Sequence, residues 1–268
     1  MRGILVVLAL AAGAAPVDAQ TTPPPQPGPQ PSGVEFLPRF DFVVSMAHLF
    51  SEERRFVWDA NFGGDLDIVD YGRGRVTFVA NYQTILGSEF RAFDPTQGNY
   101  ILEGAVSARS DAFELAGVFH HVSRHLSDRP KRFPVDWNML GGRIHGGVVR
   151  GRTELRGRAD IRGVVQNTYV DYRWEVDTGA AARVALRPRL AVVATGSLRV
   201  LGVDGTRERG TQHGYRGEGG LRIDGRGAAL ELFIAAERRI DPYQLEFSTV
   251  NWVTAGFRIS SLAAPRVP

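Results

Sequence analysis

Cysteine is missing from this 268-residue chain, so neither a disulfide framework nor thiol chemistry is open to it. Lysine is nearly missing: Lys131 is the sole one, the other basic side chains are arginine, and the formal net charge is only +3. No block of basic residues with interleaved aromatics occurs, which leaves nucleic-acid binding without support. Past the first twenty residues there is no apolar run of about twenty, and this excludes a helical membrane span. Proline is scarce outside residues 20–33 and the loops, whereas the 31 glycines are scattered through periodic segments.

What is present begins with an export leader. Arg2 supplies a positive start, Ile4 to Ala15 an apolar core, and Val17-Asp18-Ala19 a small-residue cleavage site before Gln20. Residues 1–19 therefore read as a cleaved signal peptide. Residues 20–33, rich in Pro, Gln, Thr and Gly, read as a disordered or extended linker. The fold is expected over residues 34–260, with a tail at 261–268.

The dominant period is two. Glu154, Arg156, Arg158, Asp160 and Arg162 alternate with Leu155, Gly157, Ala159 and Ile161. Asp171, Arg173, Glu175 and Asp177 alternate with Val170, Tyr172, Trp174 and Val176, and Arg216, Glu218, Arg222 and Asp224 with Tyr215, Leu221 and Ile223. A soluble sandwich leaves one face polar too. Dense mixed charge on one face of many long strands, with aliphatic and aromatic residues on the other, fits a membrane barrel better. The lumen then holds an arginine–carboxylate network and the outer wall meets lipid. Arg156, Arg158, Arg173, Arg216 and Arg222 are expected to pair there with Glu154, Asp171, Glu175 and Glu218.

Strands are expected at 38–50, 55–69, 75–86, 98–109, 112–123, 136–150, 153–167, 170–185, 190–202, 213–225, 228–238 and 249–260. The fold class is thus all-β: a twelve-stranded antiparallel transmembrane barrel of the outer-membrane type. Short turns, such as Gly151-Arg152 and Arg226-Gly227, follow even-numbered strands, and the long loops follow odd-numbered ones. That is the asymmetry of periplasmic turns and outer loops, so the protein is expected in the cell outer membrane.

One stretch carries chemistry. In a strand, residues i and i+2 share a face, so His121 and Ser123 lie together on the lipid-facing side with Phe113, Leu115 and Phe119. Asn138, opening the next strand, shares its face with Leu140, Ile144 and Val148. Polar groups are costly on that wall unless they satisfy one another. The chemical reading is acyl transfer: Ser123 attacks an ester, His121 takes its proton, and Asn138 holds the imidazole tautomer. The plain reading is that His121 and Ser123 sit at headgroup level, bonded to water and phosphate. His120 and His145 face the lumen network. His48 and His213 lie near strand ends without a partner pattern. The cluster Glu237-Arg-Arg239 with Asp241-Pro-Tyr243 reads as a rim salt-bridge group or a lipopolysaccharide contact.

The segment His121-Val-Ser123, then Ser127-Asp128, then Trp137-Asn138 resembles the active-site region of the outer membrane phospholipase A family. That family is a twelve-stranded barrel with its His-x-Ser on the fifth strand and its Trp-Asn opening the sixth. The resemblance implies Ser123 as nucleophile, His121 as base and Asn138 as its orienter. It further implies Asp128 and Ser127 as calcium ligands, the ion and a backbone N–H stabilising the oxyanion. It also implies outer-membrane phospholipid as substrate and homodimerisation. The chain departs from the family at Ser123-Arg124-His125, where Ser-Asn-Gly is usual. Its following loop is longer and basic, with Arg129, Lys131 and Arg132. Rival readings are a lipid A deacylase acting on lipopolysaccharide, and a non-catalytic barrel: a narrow channel, an adhesin or a structural protein.

Overall fold

Twelve antiparallel strands close into one barrel. In the computed structural model they are β1 (Glu35–Leu49), β2 (Trp58–Asp70), β3 (Arg75–Gly87), β4 (Asp94–Arg109), β5 (Phe113–His125) and β6 (Val135–Arg150), then β7 (Thr153–Thr168), β8 (Tyr172–Arg187), β9 (Leu190–Val203), β10 (Gln212–Asp224), β11 (Ala228–Ile240) and β12 (Thr249–Ser261). Residues 33–125, 133–243 and 249–262 are described. The expected signal peptide, the linker before Gly33 and the tail beyond Leu262 lie outside them.

Each strand pairs with its sequence neighbours, and β1 closes on β12 from Val43↔Ser260 to Leu49↔Thr254. Closure leaves no unpaired edge, which a membrane-spanning sheet requires. The tight turns take the backbone conformations their residues favour: Gly72 and Gly151 have φ of 76° and 57°, in the left-handed region open to glycine. Strand ends shift modestly from expectation. The largest change is β4, which starts at Asp94 rather than residue 98. Pro95 has no N–H to give to a ladder, and it is accommodated at a register irregularity beside Leu86. Ser261 extends β12 by one residue and donates to Asp41 Oδ1 at 2.8 Å.

Parity sorts the side chains as the alternation demands. Leu115, Phe119, Leu140, Ile144, Val148, Leu155 and Ile161 are exposed on the outer wall. Inside, Arg75 donates to Glu114 at 2.9 Å and to Asp67 at 3.1 Å. Arg143 holds Glu103 at 2.6 Å and Asp160 at 2.7 Å, and Arg162 holds Glu175 at 2.6 Å. Arg156 pairs with Glu154, Arg158 with Asp160 and Asp177, Arg216 with Glu218 and Glu237, and Arg222 with Asp224 and Glu231. His120 and His145 join this network through Glu103 and Glu114.

Two expectations fail. Arg173 is not in the lumen network: its side chain is 67% exposed, with Asp204 at 3.8 Å as its ion partner. The cause is a bulge. Tyr172 pairs with Val203 and Trp174 with Gly202, so Arg173 is an extra residue that breaks the alternation. For the same reason Tyr172 turns inward and is buried, not lipid-facing, and Val170, in the connection before β8, is buried with it. Asp171 finds Arg209, a loop residue, at 2.8 Å. Of the two readings of the Glu237–Tyr243 cluster, the salt-bridge group holds: Glu237 pairs with Arg216 and Arg239 at 2.7 Å and Asp241 with Arg209 at 2.7 Å, and these residues are buried from any lipopolysaccharide contact.

The outer end of the lumen is filled. Val122, Val135, Trp137, Met139, Tyr172, Leu201 and Ile240 form one inward apolar cluster, and Leu49, Phe56, Ile85, Tyr243 and Trp252 another. Between them Asp241 accepts from Tyr172 Oη at 2.6 Å and from Arg209 at 2.7 Å. Its carbonyl accepts from Arg124 of β5 at 2.8 Å, and the Pro242 carbonyl from Gln97 of β4 at 3.2 Å. β11 and β5 stand half a barrel apart in the strand order, so these bonds cross the lumen.

Candidate functional site

The site lies where β5 and β6 approach their outer ends. His121 is paired directly with Asn138, and Ser123 with Asp136. The residues between them point inward and are held tightly: Val122, Trp137 and Met139 are all buried. Arg124, the next inward residue, lies over the Trp137 ring at 5.5 Å. A dry, packed inner layer thus fixes the backbone from which the outward polar side chains project, as a preorganised site needs.

Asn138 Oδ1 lies 2.7 Å from His121 Nδ1. The Asn138 amide nitrogen donates in turn to Gln166 Oε1 of β7, and the Gln166 amide donates to Asp136 Oδ1 at 3.4 Å. The direction of this chain fixes protons. Since the Asn138 nitrogen is committed to Gln166, its oxygen is left to accept, so His121 carries its hydrogen on Nδ1. Nε2 then keeps its lone pair, the form in which an imidazole acts as base.

Ser123 is not bonded to His121. Its hydroxyl lies 2.9 Å from Nε2 of His125, which is two residues further along the same face. The His125 ring meets Tyr100 edge-on at 5.2 Å, and Tyr100 is the cross-strand neighbour of Ser123 on β4. The serine therefore stands between two imidazoles: one bonded to it, the other oriented by Asn138.

His125 and Gln166 are the residues the sequence reading passed over. His125 was legible by the same i, i+2 rule that linked His121 to Ser123. Gln166 was not. Counting from the charged run of β7 places it inward, but a bulge intervenes: Met139 pairs with Val164 and Asn138 with Gln166. The extra residue, Val165, turns Gln166 to the outer face. Ser127 and Asp128, the expected calcium ligands, lie outside the described residues. Among the described residues no group of three or more His, Asp or Glu side chains is arranged to hold a metal.

No family model matches the chain, and no curated protein matches it in sequence. Among solved structures, outer membrane phospholipase A from Escherichia coli matches with a TM-score of 0.51 at 11% identity, covering 86% of this chain and 99% of that one. The Salmonella typhi outer membrane phospholipase, a dimer with bound calcium, matches with a TM-score of 0.51 at 11% identity, covering 84% and 91%. LpxR from Salmonella typhimurium gives a TM-score of 0.47 at 8% identity over 83% and 99%. At these identities the likeness is one of fold, and the chain is a twelve-stranded β-barrel of the outer-membrane type.

Proposed function

We propose that the protein is a lipid esterase of the outer membrane that hydrolyses acyl esters of phospholipids. The observation that carries this reading is the Gln166–Asn138–His121 chain on the lipid-facing wall, which sets an imidazole tautomer beside a serine. In this mechanism Ser123 turns from His125 toward His121. The Nε2 lone pair of His121 takes the hydroxyl proton as Oγ bonds to the ester carbonyl carbon. The same proton then passes to the leaving alkoxide, and water repeats the sequence on the acyl-serine. Asn138 accepts from the Nδ1–H throughout and stabilises the imidazolium that forms.

Calcium, which the phospholipase resemblance implies, has no complete ligand set among the described residues. No step is routed through it; Ser127 and Asp128 are its proposed ligands. Homodimerisation belongs to the same reading, supported by the fold likeness to a phospholipase solved as a dimer.

The test is fatty-acid release by refolded protein in mixed phospholipid–detergent micelles, with calcium and with chelator, alongside Ser123→Ala. Hydrolysis by wild type and its loss in the variant are expected. Equal rates for the two, or no hydrolysis by wild type with calcium present, refute the esterase reading. Ser123 and His125 would then be a bonded pair at headgroup level in a non-catalytic barrel. Lipid A as a parallel substrate separates phospholipase from deacylase action.

A further inference from the structure

The bulge in β8 expels Arg173 from the lumen onto the outer wall, where its side chain is 67% exposed. Trp174 pairs with Gly163, and Gly163 with Leu140, so this point of β8 stands two strands from the site, about 10 Å away, and near its level. Trp174 lies flat over β9 because Gly202 has no side chain: a Cβ there would meet the indole nitrogen at 2.1 Å. Arg173 thus emerges beside an exposed indole. A charge on the outer wall is costly, most at mid-depth and least near the rim. An arginine aimed there calls for a counter-ion.

A second arginine lies close by. Arg207, in the β9–β10 loop, donates to the Tyr169 carbonyl at 2.8 Å, and its guanidinium stacks on the Tyr169 ring at 4.5 Å. Tyr169 stacks on Phe133 at 3.6 Å and holds a left-handed backbone, φ 67°, that a tyrosine rarely adopts. Asp204 is the carboxylate that both arginines act on. Hydrogen bonds from Thr206 hold it below the usual carboxylate range, and Arg173 and Arg207 add to that. Among the described residues only Arg173 has this acid within ion-pair distance, at 3.8 Å, and the carboxylate is already committed to its own turn. Glu208, in the same turn, makes no ion pair with either among the described residues.

Paired arginines flanked by Trp174, Tyr169 and Phe133 at the outer rim match a lipid phosphate in charge, in forked hydrogen-bond geometry and in depth. We propose that Arg173 and Arg207 bind the phosphate of an outer-leaflet lipid, at a site distinct from the Ser123 centre. The site is occupied whether or not Ser123 is catalytic.

Its test is calorimetric titration of the refolded full chain in nonionic detergent, in a Ser123→Ala background so that nothing is hydrolysed. The ligands are dihexanoyl phosphatidylethanolamine, dihexanoylglycerol and inorganic phosphate. The phosphate-bearing lipid is expected to bind about tenfold more tightly than dihexanoylglycerol. Arg173→Gln with Arg207→Gln should bring the two within about twofold while leaving the diacylglycerol value unchanged, and each single variant should fall between. Asp204→Asn, which keeps the turn's acceptor and removes the competing charge, should tighten the lipid about threefold. A preference that survives the double variant overturns the proposal, as does equal binding of dihexanoylglycerol by wild type. Inorganic phosphate binding as tightly as the lipid also overturns it, since the site would then be for a free anion.

Discussion

Removing the Asp241 side chain is the sharpest perturbation of the closed outer mouth. Its carboxylate accepts from Arg209 at 2.7 and 3.0 Å and from Tyr172 Oη at 2.6 Å, and the residue is fully buried. Breaking a buried ion pair from one side costs roughly 3–5 kcal/mol, and orphaning a buried hydroxyl about 1–3 kcal/mol. These do not add, because Arg209 keeps Asp171 at 2.8 Å. The expected loss for Asp241→Ala is about 3–4 kcal/mol. Asp241→Asn retains an acceptor for Tyr172 and should lose about half as much. Asp241→Gly should be milder than Ala by about 1 kcal/mol, since the backbone is left-handed there, φ 44°, a conformation that alanine adopts less readily than glycine or aspartate. Urea unfolding in bilayers reads the stability; Trp137, packed edge-on against Tyr172 at 5.1 Å, is a local fluorophore. Planar-bilayer recording reads the seal: wild type should be silent and Asp241→Ala should show discrete openings. A variant that unfolds at the wild-type urea midpoint and stays silent refutes the view that this residue closes the lumen.

Ser123→Ala should abolish ester hydrolysis at a stability loss of about 1 kcal/mol or less, the worth of one rim hydrogen bond, measured by the same unfolding assay. Gln166→Ala should lower kcat roughly fivefold with KM little changed, because it frees the Asn138 amide to rotate. Glu103 accepts from Arg143 at 2.6 and 2.9 Å and from His120 at 3.0 Å; Glu103→Ala should cost about 3 kcal/mol or more, and adding Arg143→Ala should cost less than the sum, which a double-mutant cycle in urea measures. If the chain dimerises through its outer wall, calcium with phospholipid substrate should raise the cross-linked fraction in detergent, and no change in that fraction would remove dimerisation from the proposed reading.

Alternation by itself determined the strand number, the barrel class and which side of β5 and β6 carries His121, Ser123 and Asn138, because side-chain period two is a local property of an extended backbone. The same rule extends to His125, two residues beyond Ser123, although the motif that drew attention to His121 and Ser123 stops short of it. The sequence also held the carboxylates and arginines of the lumen in the right ratio and on the right face for Arg156, Arg158, Arg216 and Arg222. Only the tertiary structure decided where that rule is interrupted. Val165 and Arg173 are ordinary letters in alternating runs, yet each is an extra residue opposite a regular partner strand. Whether a strand bulges depends on the register and packing of its neighbours, here Met139 and Tyr172 seated in the apolar cluster behind the site, and so those two residues reverse the faces of Gln166 and Tyr172 without a signal of their own. The closure by Asp241 and Pro242 is likewise invisible along the chain, since the partners of their carbonyls, Arg124 and Gln97, stand on the far wall of the barrel, more than a hundred residues away in sequence.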